Sequence, residues 1–282
     1  VAVQDERFEL DPWLSLGSGD ADGAWPTLSV ALDTRQLLAQ GRVLHQVKAQ
    51  LQSSHGDWEG QVSAQELAGN LHWQAGAHKL SAKLSRLNLP LSSSANEPND
   101  TSLGRQAANL PALDITVDAL SYQQQPLGHL QLAMQPRSNG WQLDQLWWSG
   151  PEGRARLTGM WQRDGREGVT ALRGQFDSQD LGGLLARFGY PDTLRRGRLT
   201  AQGALQWQGG VLSPVLSSLR GDLSLRAENG QFAKINPGMG RLLGVISLQS
   251  RAVALAVINA IGNIGSAVSP LLIGILRDAT GS

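Results

Sequence analysis

Between Leu28 and Ala227 apolar and polar residues alternate in run after run. Successive side chains of a strand point to opposite faces, so a period of two predicts strands that each carry one apolar face. Val43, His45, Val47, Ala49 and Leu51 fall on one side of the first clear run, with Arg42, Gln46, Lys48 and Gln50 on the other. The pattern returns at Leu71, Trp73 and Ala75, at Leu80, Ala82 and Leu84, and at Leu113, Ile115, Val117 and Ala119. Later runs are Leu130, Leu132 and Met134; Ala155, Leu157, Gly159 and Trp161; Leu199, Ala201, Gly203, Leu205 and Trp207; and Leu223, Leu225 and Ala227. Roughly a dozen antiparallel strands are expected, joined by short turns such as Ser138-Asn139-Gly140 and Glu228-Asn229-Gly230. One apolar face per strand makes one continuous apolar sheet surface.

A loose internal repeat supports stacking rather than a closed two-sheet core. Segments that open on Gly-Trp or Gly-x-Trp and end on a second Trp occur at Gly56 to Trp73 and Gly140 to Trp161, with a partial copy ending at Trp207. Ser92 to Gln106, rich in Ser, Asn, Pro and Asp, reads as a loop break. Two short helices are expected. Asp180 caps one, in which Leu181, Leu184, Leu185 and Phe188 recur at helical spacing before Gly189 and Pro191 stop it. The other starts at Asn236 and Pro237 and carries Leu242, Leu243 and Ile246 on its apolar side, placed to cover the last strand.

Chemistry-bearing patterns are missing. Formal charge is balanced, 24 basic residues against 24 acidic, so the surplus that nucleic-acid binding draws on is lacking. The chain has no Cys, which removes disulfides, thiolate nucleophiles and Cys-based zinc sites together. His72 and His78, like His45 and His55, lie too far apart for a helical metal pair, and His129 stands alone. No Gly-x-Ser-x-Gly elbow exposes a serine. Gly238, Gly240 and Gly244 open a helix but fit neither a Walker loop nor a dinucleotide fingerprint, so they read as a structural start. No enzyme, metal or cofactor is expected. Nine Trp stand against four Phe and two Tyr; core or rim packing is the first reading, lipid contact the second and sugar stacking the third. Trp147 and Trp148 are adjacent, so a regular strand puts them on opposite faces.

Five ordered segments carry a family resemblance: GDWEGQVSAQELAGNLHW (Gly56 to Trp73), LSRLNLP (Leu84 to Pro90), NGWQLDQLWWSGPEGRARLTGMW (Asn139 to Trp161), QDLGGLLARFGYPDTLRRGRLTAQGALQW (Gln179 to Trp207) and NGQFAKINPGMGRLLGVISLQS (Asn229 to Ser250). They resemble the AsmA-like envelope proteins of Gram-negative bacteria, in particular the C-terminal part of the YhdP type. The resemblance implies a non-enzymatic, inner-membrane-anchored periplasmic protein whose curved sheet carries phospholipid between membranes and serves outer membrane homeostasis. The expected fold is therefore mainly β, a long curved antiparallel sheet forming an open, taco-like groove. Leu113, Ile115, Val117, Leu130, Leu132, Met134, Leu199, Ala201, Leu205, Leu223 and Leu225 are the expected groove lining, and Arg241 the expected headgroup contact. Partners are phospholipid acyl chains and a membrane. Alternatives are a structural envelope scaffold or assembly factor, and a fragment of a secondary transporter.

The last alternative comes from the tail. RAVALAVINAIGNIGSAVSPLLIGILRDATGS, Arg251 to Ser282, resembles one transmembrane helix of a major-facilitator transporter. Its uncharged run from Ala252 to Leu276 would span about 37 Å as a helix against ~30 Å of hydrocarbon. Val1 to Leu10 carries Asp5, Glu6, Arg7 and Glu9 where an export signal has an apolar core, so the start reads as an internal cut. The expected organisation is a sheet region over 1–235 with a loop break near 92–106, a capping helix over 236–250 and a membrane-like tail over 251–282, for which a chimeric join is one reading.

Overall fold

A computed structural model describes residues 2–9, 27–39, 42–89, 111–164, 168–187, 194–210 and 215–232. Among these residues thirteen strands form one sheet in strict chain order. They are β1 (Ala2–Glu9), β2 (Leu28–Ala39), β3 (Arg42–Ser54), β4 (Asp57–Ser63), β5 (Leu67–Gln74), β6 (Lys79–Leu89), β7 (Ala112–Tyr122), β8 (Gln125–Arg137), β9 (Gly140–Gly150), β10 (Gly153–Gln162), β11 (Val169–Ser178), β12 (Leu194–Gln208) and β13 (Val215–Phe232). Among the described residues one helix, α1 (Leu181–Arg187), lies between β11 and β12. The sheet is open, since β1 and β13 are its two ends.

The antiparallel expectation needs correction. Ten neighbouring pairs run antiparallel, but β1 pairs with β2, and β6 with β7, in parallel. Parallel neighbours need a connection long enough to return to the starting end. The chain over 90–111 supplies that length between β6 and β7; the predicted loop break at 92–106 lies outside the described residues.

Register turns the alternation into rows that cross the sheet. The first runs Leu32, Ala49, Val62, Gly69, Leu84, Val117, Leu130, Trp148, Ala155, Phe176, Ala201, Leu225, each residue paired with the next. The second runs Val30, Leu51, Gly60, Leu71, Ala82, Ile115, Leu132, Leu146, Leu157, Gly174, Gly203, Leu223. The third runs Leu28, Ser53, Trp58, Trp73, Leu80, Leu113, Met134, Leu143, Gly159, Leu172, Leu205, Gly221. Their buried members belong to a single cluster that reaches from Leu37 to Trp207. Ile115, Val117 and Leu127 are 0% exposed, although among the described residues only a seven-residue helix is available to cover this face. Neighbouring rows pack against one another in that single cluster. Each fully covered aliphatic side chain stabilises that arrangement by ~1.5–3 kcal/mol.

Small residues let neighbouring strands approach closely. A Cβ on Gly174 would meet the carbonyl oxygen of Arg156 and the Leu157 side chain, and one on Gly203 the carbonyl oxygen of Asp222. Both glycines sit side by side in the second row.

Several expected phases shift. On β3 it is Leu44, 2% exposed, that faces inward, whereas Val43 is 41% exposed. The cause is a break in alternation shared by two strands: β2 steps from Thr34 to Leu37, and β3 from Leu44 to Val47, with Gln46 at φ 53°. The inward set on β7 likewise steps from Val117 to Leu120, leaving Ala119 outside. Ala75 lies in the exposed β5–β6 turn, and Ala227, though in phase, is exposed. Ser138 and Asn139 do form a turn, but Glu228-Asn229-Gly230 lies inside β13, where Asn229 adopts φ 56° opposite Arg196 and Gly197. Of the two predicted helices, α1 forms as expected, with Asp180 Oδ1 accepting from the Gly183 amide at 3.0 Å. The helix from Pro237, Arg241 and the tail lie outside the described residues; among those described, no helix is long and apolar enough to cross a membrane.

Candidate functional site

Every groove-lining residue expected from the sequence falls on the inner face. Val117, Leu130, Ala201 and Leu225 stand in the first row, Ile115, Leu132 and Leu223 in the second, and Leu113, Met134 and Leu205 in the third. Leu199 sits one step beyond the first row, between Ser178 and Ala227. Their exposure differs. Leu113, Ile115, Val117, Leu130, Leu199 and Ala201 are buried, while Leu132, Met134, Leu205, Leu223 and Leu225 are partly open.

No charged residue interrupts the three rows. Buried hydroxyls are absorbed locally: Thr170 donates to the Gly209 carbonyl at 2.7 Å and Ser178 to the Glu152 carbonyl at 2.9 Å. Charges gather on the outer face, where Lys48 meets Asp33 at 3.3 Å and Lys79 meets Asp114 at 3.0 Å. A polar cleft of about 620 Å³ on that side is lined by Lys48, Gln50, Gln61, Asn70, Lys83 and Asp118 among others. Among the described residues there is no group of three or more metal-ligating side chains.

The two long edges of the inner face differ in kind. At one, α1 packs against β12 and β8, and a buried ion pair fastens it. Arg187 Nε donates to Glu152 Oε1 at 2.7 Å, and Nη2 approaches the same oxygen at 2.6 Å. Sequence reasoning missed this pair, because nothing in the spacing of Glu152 and Arg187 announces it. At the opposite edge, where β4, β6, β7, β9 and β11 begin, the tryptophans collect. Trp58 pairs with Trp73, Trp141 with Trp161, and Thr170 with Trp207. The sequence repeat explains this: each copy opens at that edge, crosses the sheet and returns to it. Trp148 faces inward, stacked on Phe176 with centroids 6.4 Å apart, while Trp147 turns outward against His129. An extra residue near Asp144 shifts the register, so Leu143 and Leu146 both point inward. Trp13 and Trp25 lie outside the described residues.

This geometry offers no constellation for bond chemistry among the described residues. It offers a long, uncharged, one-sided surface. No curated protein matches the chain. A family model described as YhdP protein matches residues 1–255, which takes the likeness seen in the sequence from Gly56 back to the first residue and so includes β1 to β3. The chain belongs to the YhdP protein family.

Proposed function

We propose that the chain is a non-enzymatic conduit that carries phospholipid across the space between two membranes of a Gram-negative envelope. One observation carries this reading: three apolar rows run without an inward charge across twelve strands. Moving a phospholipid through water exposes two acyl chains at ~0.8 kcal/mol per CH₂, a penalty of roughly 20 kcal/mol. A continuous apolar trough along the rows removes most of that barrier at every point of the path. Family membership supports the envelope setting, a periplasmic position and attachment to an inner membrane in the full-length protein. Arg241 is kept as a proposed headgroup contact.

The test is photo-crosslinking of a diacyl lipid to the protein with Leu132, Leu205 and Leu223 each replaced by Asp. These side chains are already partly open, so the β-type circular dichroism should persist while crosslinking falls at least tenfold. Undiminished crosslinking in the folded triple variant overturns the proposal.

A further inference from the structure

The tryptophan edge carries two unmet hydrogen-bond donors. Trp73 is 3% exposed and Trp161 6%, and neither indole Nε1 has a hydrogen-bond partner. Their inward-facing relatives show what satisfaction looks like: Trp148 Nε1 donates to the Leu127 carbonyl at 2.8 Å and Trp207 Nε1 to the Gly210 carbonyl at 2.9 Å. A buried N–H without an acceptor is destabilising, whereas Phe in its place would fill the same apolar site with no donor to satisfy. Resting on the conduit reading, we infer that Trp73 and Trp161 are stations for the glycerol-ester level of a diacyl lipid, each indole N–H donating to an ester carbonyl as the lipid passes.

Three features select that acceptor. The donors stand at the edge of the apolar rows, so acyl chains lying across the rows bring the ester groups level with them. The three rows carry no charged residue, and the basic ring beside Trp73, that of His78, meets it edge-on at 5.2 Å; an uncharged surface disfavours a phosphate and suits a neutral carbonyl. Indole rings also match this layer chemically, being apolar over the body and polar at one tip, as in the aromatic belts of membrane proteins. Five strand spacings separate β5 from β10, so the stations succeed one another along the path at roughly 24 Å of sheet, at ~4.8 Å per spacing. The headgroup then travels outside the edge, in water.

The experiment compares dioleoyl phosphatidylethanolamine with its diether counterpart, which has the same headgroup and chain length but no ester carbonyl. Competition binding to the full chain, read by native mass spectrometry, should favour the ester lipid roughly fivefold, the factor one neutral hydrogen bond supplies. Trp73→Phe combined with Trp161→Phe should abolish the preference without weakening ether-lipid binding, and Trp147→Phe on the outer face should retain it. In the unaltered protein, the ¹⁵N indole resonances of Trp73 and Trp161 should move on addition of the ester lipid alone. Equal binding of both lipids by the unaltered protein overturns the station but spares the conduit, as does a preference that survives in the double variant. Binding of neither lipid removes both.

Discussion

Single residues decide how closely neighbouring strands of this sheet can approach. Gly174 and Gly203 are tolerated by neighbouring carbonyl oxygens only because they lack a Cβ. Gly203→Val should cost ~2 kcal/mol or more by forcing β12 and β13 apart, measurable as a lower urea midpoint. The Glu152–Arg187 pair works through charge instead. Its carboxylate side chain is 10% exposed, so Arg187→Ala strands a buried charge and should destabilise by ~3 kcal/mol. Arg187→Lys, keeping the charge but losing the fork, should recover part of that loss. Neither effect was legible in the sequence, where Gly174 and Gly203 are two among many glycines and Glu152 stands in an ordinary turn.

At the scale of elements, periodicity identified the strands well and their phase less well. Long runs such as Leu80 to Leu84 and Ala155 to Trp161 keep one face throughout, and there the sequence pattern translated directly. It failed where two strands change face together. Val43 and His45 continue the alternation of Val47 and Ala49 on paper, but the turn in the backbone at Gln46 hands the inner position to Leu44. A test follows from that exchange: Leu44→Ala should cost ~3 kcal/mol, whereas Val43→Ala should stay within ~0.5 kcal/mol. The adjacent Trp147 and Trp148 posed the same question and resolved as a regular strand requires, one to each side. Direction was invisible for a different reason, since alternation is identical in parallel and antiparallel strands and only connection length separates them.

For the whole molecule, the apolar cluster among the described residues extends as far as Leu225. Removing everything after Ser250 should therefore leave the strand signal in circular dichroism unchanged and raise solubility by deleting the uncharged run of the tail. Loss of the signal on truncation would show that the tail is part of the fold. Openness has a further consequence. Because two of the three rows end at β13 on an aliphatic side chain, as they begin on one at β2, nothing in the pattern specifies how many strands there should be. Reach becomes a matter of arithmetic: one more hairpin adds two strand spacings, roughly 10 Å, without altering any existing contact. A lineage could match such a protein to a wider or narrower gap by gaining or losing hairpins, as a ruler is lengthened by whole divisions.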